Sequence, residues 1–270
     1  MRVVRLDDED DFDGWRTAAR ALAAERVPAD QVLWQIGDAP TDLFAATAGT
    51  ALPNRSLTVP KDFLGLAASV CLHRDPQRFS LLYALLLRVL VQPHILQDRA
   101  DRRISVLRRM QQAVGRDVHK MHAFVRFREL TEGEQSRFVA WFEPDHHILR
   151  ATAGFFVNRF ATMHWSILTP EGSLHWDTRS LTEGPPAEKT DAPGDDPVEA
   201  IWKSYYASTF NPARVNSRAM LKEMPKKYWH GLPEAALIPS LVAGASQRER
   251  EMIARLPTTP RRMGRRPDPS

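Results

Sequence analysis

The stretch Met163-His164-Trp165-Ser166-Ile167-Leu168-Thr169-Pro170-Glu171-Gly172-Ser173-Leu174-His175-Trp176-Asp177 decides the fold. Met163–Leu168 and Ser173–Asp177 alternate apolar and polar residues, the period of half-buried strands. Thr169-Pro170-Glu171-Gly172 between them is turn chemistry, so the pair reads as a β-hairpin. A slip of one residue would turn the apolar set outward, and this fixes the register. Opposing Leu168 to Ser173 places Trp165 against Trp176 and Ile167 against Leu174. The other face then pairs His164 with Asp177 and Ser166 with His175.

Upstream, Met121–Glu129 and Arg137–Phe142 read as a second hairpin about Thr131-Glu132-Gly133-Glu134. Opposing Phe127 to Phe138 also matches Val125 with Ala140 and Ala123 with Phe142. The opposite face carries Arg128 with Arg137, Phe124 with Trp141, and His122 with Glu143. If the hairpins share a sheet, His122, Glu143, His164, His175 and Asp177 converge.

That face supports three readings. Rings that stack bases and arginines (Arg126, Arg128, Arg137) that hold phosphate would make a nucleic-acid platform. Imidazole and carboxylate together would make a metal or acid–base site. Packing alone would place Phe124 and Trp141 beneath neighbouring helices, with the His–carboxylate pairs as structural cross-strand contacts. Six of the nine histidines fall between His119 and His175, yet in no compact ligand motif.

Outward from the centre, Val3–Leu6, Asp13–Glu25 and Val32–Ile36 form a small β-α-β opening without a glycine-rich phosphate loop. Helices follow at Phe63–Leu72, after Asp75-Pro76 (cap and first position), and at Asp101–His119. His146–Phe160 is a further helix. Thr182–Asp196 reads as a loop, and Pro197–Thr209, Pro212–Glu223 and Glu234–Arg255 as helices. Arg214, Arg218 and Lys222 recur every four residues as a cationic stripe. Beyond it, Lys226, Lys227, Tyr228 and Trp229 set two cations beside two rings, suited to phosphate and base or to a solvated stripe over a packed ring pair.

Composition narrows the class. With 43% hydrophobic and 26% charged residues, the 270-residue chain can bury a full core. The longest apolar run, Leu81–Val91, is broken by Arg88 and too short to span a bilayer. The opening Met1-Arg2-Val3-Val4-Arg5 lacks a secretory signal's apolar core, and a cytoplasmic protein without a membrane partner is expected. The single cysteine, Cys71, supports no internal iron–sulfur site, and no cofactor is evident. A net charge of only +4 leaves any hold on a polyanion to local clusters.

The runs His73-Arg74-Asp75-Pro76-Gln77-Arg78-Phe79, Arg116–Arg128, Trp141-Phe142-Glu143-Pro144-Asp145-His146-His147, Phe155–Phe160, Trp165–Pro170 and Phe210–Trp229 resemble a bacterial family of DNA-metabolism proteins. The resemblance covers roughly residues 1–255. It implies a neighbouring radical SAM protein of DNA repair, and occurrence as the N-terminal region of fusions to an iron–sulfur uracil-DNA glycosylase of the uracil-DNA-binding type. The tail, 256–270, then reads as a disordered Arg/Pro-rich linker towards such a glycosylase. No catalytic residues carry over.

The expectation is an α+β domain over 1–255: a β-α-β opening (1–60), helices and a central antiparallel sheet from two hairpins (61–180), a loop (181–196) and a helical part (197–255). Its function is expected to be that of a DNA-binding accessory to repair. Two alternatives stand beside it: an enzyme acting on DNA or modified nucleotides through His122, Glu143, His164, His175 and Asp177, and a protein-interaction adaptor.

Overall fold

The computed structural model describes residues 1–37, 46–47, 57–132, 135–191 and 217–245. The chain divides into two compact units, Met1–Gly194 and Asp195–Ser270.

In the first unit, β1 (Arg2–Leu6), α1 (Phe12–Ala24) and β2 (Val32–Ile36) make the expected β-α-β opening. The two strands are parallel, with Arg2 opposite Val32, and the short β3 (Ala46–Thr47) adds to the other edge of β1. Asp11 caps α1 by accepting the Gly14 N–H at 2.7 Å. Trp15, Ala19 and Leu22 of α1 are buried, and meet α2 (Lys61–Cys71) and α3 (Arg78–Val91) in a core with Phe63, Val70, Phe79, Leu82 and Tyr83. Two of its buried polar ends are satisfied, with Trp15 Nε1 donating to the Phe79 carbonyl and Tyr83 Oη to that of Val27, whereas Trp34 Nε1 has no partner among the described residues.

α4 (Arg102–Phe124) joins this core to a second one. Its 23 residues run about 34 Å at 1.5 Å per residue. Ile104, Leu107 and Met110 pack in the first core. One end further on, Met121 lies under α5 (Leu149–Arg159), where Thr152 Oγ1 is 3.2 Å from its sulfur. The helix therefore takes in the first part of the segment expected to be a strand, as far as Phe124, and the strand itself begins only at Arg128. Ala123, Val125 and Phe127 alternate like a strand, but Val114, Met121 and Val125 also fit a helical repeat, and between Gly115 and Pro144 no proline intervenes.

The sheet runs β4-β5-β6-β7-β8: Arg128–Glu132, Gln135–Trp141, Trp165–Thr169, Gly172–Trp176 and Leu181–Gly184. The β6–β7 register is the expected one, with Trp165 opposite Trp176, Ser166 opposite His175 and Ile167 opposite Leu174. The α+β class is as read, with one refinement: β5 and β6 are parallel neighbours, because α5 carries the chain back between them. β4 pairs with β5 as a hairpin in a different register, with Arg128 opposite Val139 and Leu130 opposite Arg137. β8 occupies the start of the stretch expected to be a loop.

The second unit is described over 217–245. It contains α6 (Ser217–Glu223), two short 3-10 turns at Lys226–Gly231 and Pro233–Leu237, and α7 (Ile238–Ala243). Tyr228, Leu232, Ala235, Ile238 and Leu241 are buried. The expected helix at Pro197–Thr209, the start of the next at Pro212, the distal half of the last helix and the 256–270 tail lie outside the described residues.

Candidate functional site

Alternation along the sheet gives it two unlike faces. Trp165, Ile167 and Leu174 point to the side of α5, where Phe127 and Phe156 flank Trp165 and Phe160 packs on both of those rings. Arg137, Trp141, Ser166, Ser173, His175 and Thr182 fall on the other side by register.

On that polar face one hydrogen-bond chain has a fixed direction. Arg137 Nη2 donates to Ser166 Oγ at 2.9 Å, and Ser173 Oγ donates to the Pro185 carbonyl at 3.1 Å. Ser173 has then spent its only proton, so at 3.0 Å it accepts from His175 Nε2. His175 Nδ1, 2.8 Å from Ser166 Oγ, is left to accept the Ser166 hydroxyl proton. The imidazole is thus held neutral with its proton on Nε2. Burial, reinforced by the Arg137 charge, pushes its pKa down in keeping with this. Gly184 makes the arrangement possible: a Cβ there would lie 2.5 Å from Ser173 Oγ and 2.8 Å from His175 Nε2.

Ser136, Arg137, His164, His175, Trp176, Asp177 and Thr182 line a pocket of about 420 Å³ beside this chain. His164, His175 and Asp177 therefore share one site. Asp177 spends its carboxylate locally, accepting from the Arg179 and Ser180 N–H groups at 2.8 and 2.6 Å and from Ser180 Oγ at 2.8 Å. Those bonds hold its pKa down at about 2. They also pin the turn in which Thr178 has φ 73°, a strained value for a β-branched residue.

The other two candidates lie elsewhere. His122 belongs to α4, not to a strand opposite Glu143; its ring stacks on Phe155 at 3.9 Å, and burial lowers its pKa. Glu143, past the end of β5, accepts from Trp141 Nε1 at 2.9 Å. The expected pairs Arg128–Arg137 and Phe124–Trp141 do not form, since Arg128 faces Val139 and Phe124 ends α4. Arg126 caps that helix end, donating to the Ala123 carbonyl at 2.6 Å.

A second polar cluster escaped the sequence reading as a site. Asp117, buried on α4, accepts the Asp145 and His146 N–H groups at 2.7 and 2.9 Å and so fixes the approach to α5. His146 then stacks on His73 at 4.3 Å, and His147 Nδ1 meets Glu171 at 3.1 Å. Burial, with His73 next, drives the His146 pKa down to about 4. Arg78, buried, donates to the carbonyls of Cys71, Asp75 and Glu9 and to the Glu9 carboxylate; Arg74 pairs with Glu171. Arg150 gathers Asp8, Asp10 and Glu183 at the edge of a cavity of about 440 Å³. The only hint in the sequence was the pair of motifs His73-Arg74-Asp75-Pro76 and Asp145-His146-His147; nothing local shows that they meet. Among the described residues, no group of three or more His, Cys, Asp or Glu has metal-binding geometry.

A domain-family model matches residues 76–234, more than half of the chain. The chain belongs to the DUF4130 family, a domain of unknown function. No curated protein and no solved structure matches it. The DUF4130 match takes in the whole five-stranded sheet, α4 and the Asp145-His146-His147 segment, while Glu9 and His73 lie before it.

In the second unit, the DUF4130 match also reaches the basic segment. Lys222, Lys226 and Lys227 are exposed, whereas Tyr228 is buried and Trp229 half-buried, its Nε1 donating to the Met224 carbonyl at 3.0 Å. Lys227 Nζ sits 4.6 Å from the Tyr228 ring centre and Lys226 Nζ 6.0 Å from that of Trp229. Arg218 lies in α6; Arg214 lies outside the described residues. No helix among the described residues is long and apolar enough to cross a membrane.

Proposed function

We propose that this DUF4130 domain is a nucleic-acid-binding accessory of DNA repair, acting beside a uracil-DNA glycosylase or a radical SAM repair partner. The observation that carries the reading is the state of Arg137. One nitrogen, Nη2, is anchored on Ser166, while Nε and Nη1 make no hydrogen bond among the described residues. That leaves an open guanidinium edge at a pocket of about 420 Å³, with the exposed, unpaired imidazole of His164 beside it. A fixed guanidinium edge suits a phosphate oxygen pair, and the volume suits one nucleotide. Exposed Lys222, Lys226 and Lys227 supply further cations in the second unit.

The reading favours binding over catalysis at this site. Both ring nitrogens of His175 and both carboxylate oxygens of Asp177 are already committed. The test is fluorescence anisotropy with labelled DNA, with and without deoxyuridine, at low salt. Binding by the parent chain is expected, weakened about tenfold by Arg137→Gln and, separately, made less salt-dependent by alanine at Arg214, Arg218, Lys226 and Lys227. No measurable affinity of the parent chain at low salt would sink the reading.

A further inference from the structure

The face of α4 turned away from the cores carries a feature that no function assigned above uses. Arg102, Ser105, Arg109, Gln112, Arg116 and His119 recur at alternating steps of three and four residues, which puts them on one line along the helix. The buried residues Ile104, Leu107, Met110, Val114 and Met121 lie on the opposite side. The line runs about 25 Å at 1.5 Å per residue, with an arginine about every 10 Å. Every side chain on it can donate a hydrogen bond, and none is acidic. The helix's one carboxylate, Asp117, is turned inward to the Asp145 and His146 amides.

Arg102, Arg109 and Arg116 are exposed, and none makes an ion pair or hydrogen bond among the described residues. At its start the row also runs against the helix dipole. α1 and α2 carry Asp13 and Asp62 in their first turns, as the helix dipole favours. The first turn of α4 has no acid within it and begins Arg102-Arg103, its amides capped from outside by Asp101. Unpaired cations kept in line on an exposed face ask for an anionic partner.

We infer that this ridge binds the phosphodiester backbone of duplex DNA without reading its sequence. The inference rests on the nucleic-acid reading above and adds a second contact surface and a strand preference to it. Arginine's planar fork matches phosphate oxygens two at a time. A straight, rigid row suits a duplex, whose phosphates are held at regular spacing, better than a pliant single strand. Single strands are gripped largely by stacking rings, and apart from the His119 imidazole at its end the row carries none. Base reading is not expected, because the row's charged forks stand about 10 Å apart, far more than one base step.

The test uses the full chain and a labelled mixed-sequence duplex of about 24 base pairs, alongside one of its single strands, titrated across a salt series. The variant R102Q/R109Q/R116Q removes three charges from exposed positions and keeps good helix formers. Its thermal melt should match the parent's. Duplex affinity at low salt should fall about 10–100-fold, and the slope of log K against log salt should flatten by about 3. The charge-preserving R102K/R109K/R116K should keep most of that slope. Single-strand affinity should hold in both variants.

If the parent binds duplex and the glutamine variant keeps its affinity and slope, the ridge is not the contact, and the accessory reading survives. An equal loss on duplex and single strand overturns the duplex preference. Displacement of duplex by polyglutamate at matched charge would show a general acid-binding face instead, and that too overturns the inference. A parent that binds no DNA removes the underlying reading itself.

Discussion

The two faces of the five-stranded sheet are about equally tight and are held by different physics. On the α5 side, Trp165, Ile167 and Leu174 are 0–1% exposed among phenylalanine rings. On the other, Ser166 and Ser173 are 2–3% exposed, yet the cohesion there is a directed chain from Arg137 through His175 to the Pro185 carbonyl. The apolar face tolerates changes of shape that conserve volume. Between Ser166, His175 and Ser173 the polar face tolerates little that breaks the direction of its protons, because each hydroxyl and the imidazole N–H has one acceptor waiting.

The largest effect is expected from Trp165→Ala, which should cost about 3–5 kcal/mol in denaturant unfolding through the cavity it leaves. Trp165→Phe should cost far less, since Trp165 Nε1 is buried without a partner among the described residues and its removal relieves an unmet polar group. A Phe variant as unstable as the Ala variant would show that the indole N–H has a role.

On the polar face, Gly184→Ala should destabilise by about 1–3 kcal/mol, because its Cβ would force Ser173 and His175 apart. Ser173→Ala should cost a similar ~1–3 kcal/mol by leaving the His175 Nε2–H unmet. In nitrogen-resolved NMR, both should disturb the single Nε2–H tautomer expected for His175. An unchanged ring signal in both variants would remove the directed chain.

Acid should separate the faces next. His73, His122, His146 and His175 all have pKa values lowered by burial, His146 to about 4. Below the unfolded value near 6.5, the unfolded chain takes up protons that the native rings refuse. Stability is thus full above that value and falls as pH drops from about 6.5 towards 4, by about 1–2 kcal/mol at pH 5 after allowing for solvent screening. Asp101, held at about 2 chiefly by Arg88, adds its loss only below about pH 4. A flat stability profile between pH 7 and 5 would contradict the neutral imidazoles. The smallest effect belongs to Arg137→Gln: within about 0.5 kcal/mol in stability, since the residue is exposed, while DNA affinity falls.

The sequence was most legible where pattern and burial agreed locally. β6 and β7 needed one register to pair their apolar residues, α1 had a clean helical stripe, and β1 and β2 were short apolar runs on either side of it. It was least legible from Met121 to Glu129, where strand and helix periods overlap; reading a strand there drew His122 and Glu143 into a convergence that the α4 helix prevents. The parallel β5–β6 pair was within reach, since the helix expected between them already implied a crossover. The histidine cluster was not, for His73 and His146 meet through tertiary contacts such as Asp117 on the His146 amide and the Arg74 amide on His146 Nδ1.

By itself, then, the chain determined its α+β class and the register of its central hairpin, both consequences of spacing within and between neighbouring elements. Tertiary structure alone decided where α4 stops, which histidines stand together, and which arginine edges stay open. Those outcomes depend on contacts between residues far apart in sequence, and only the packing of whole elements against one another selects among them.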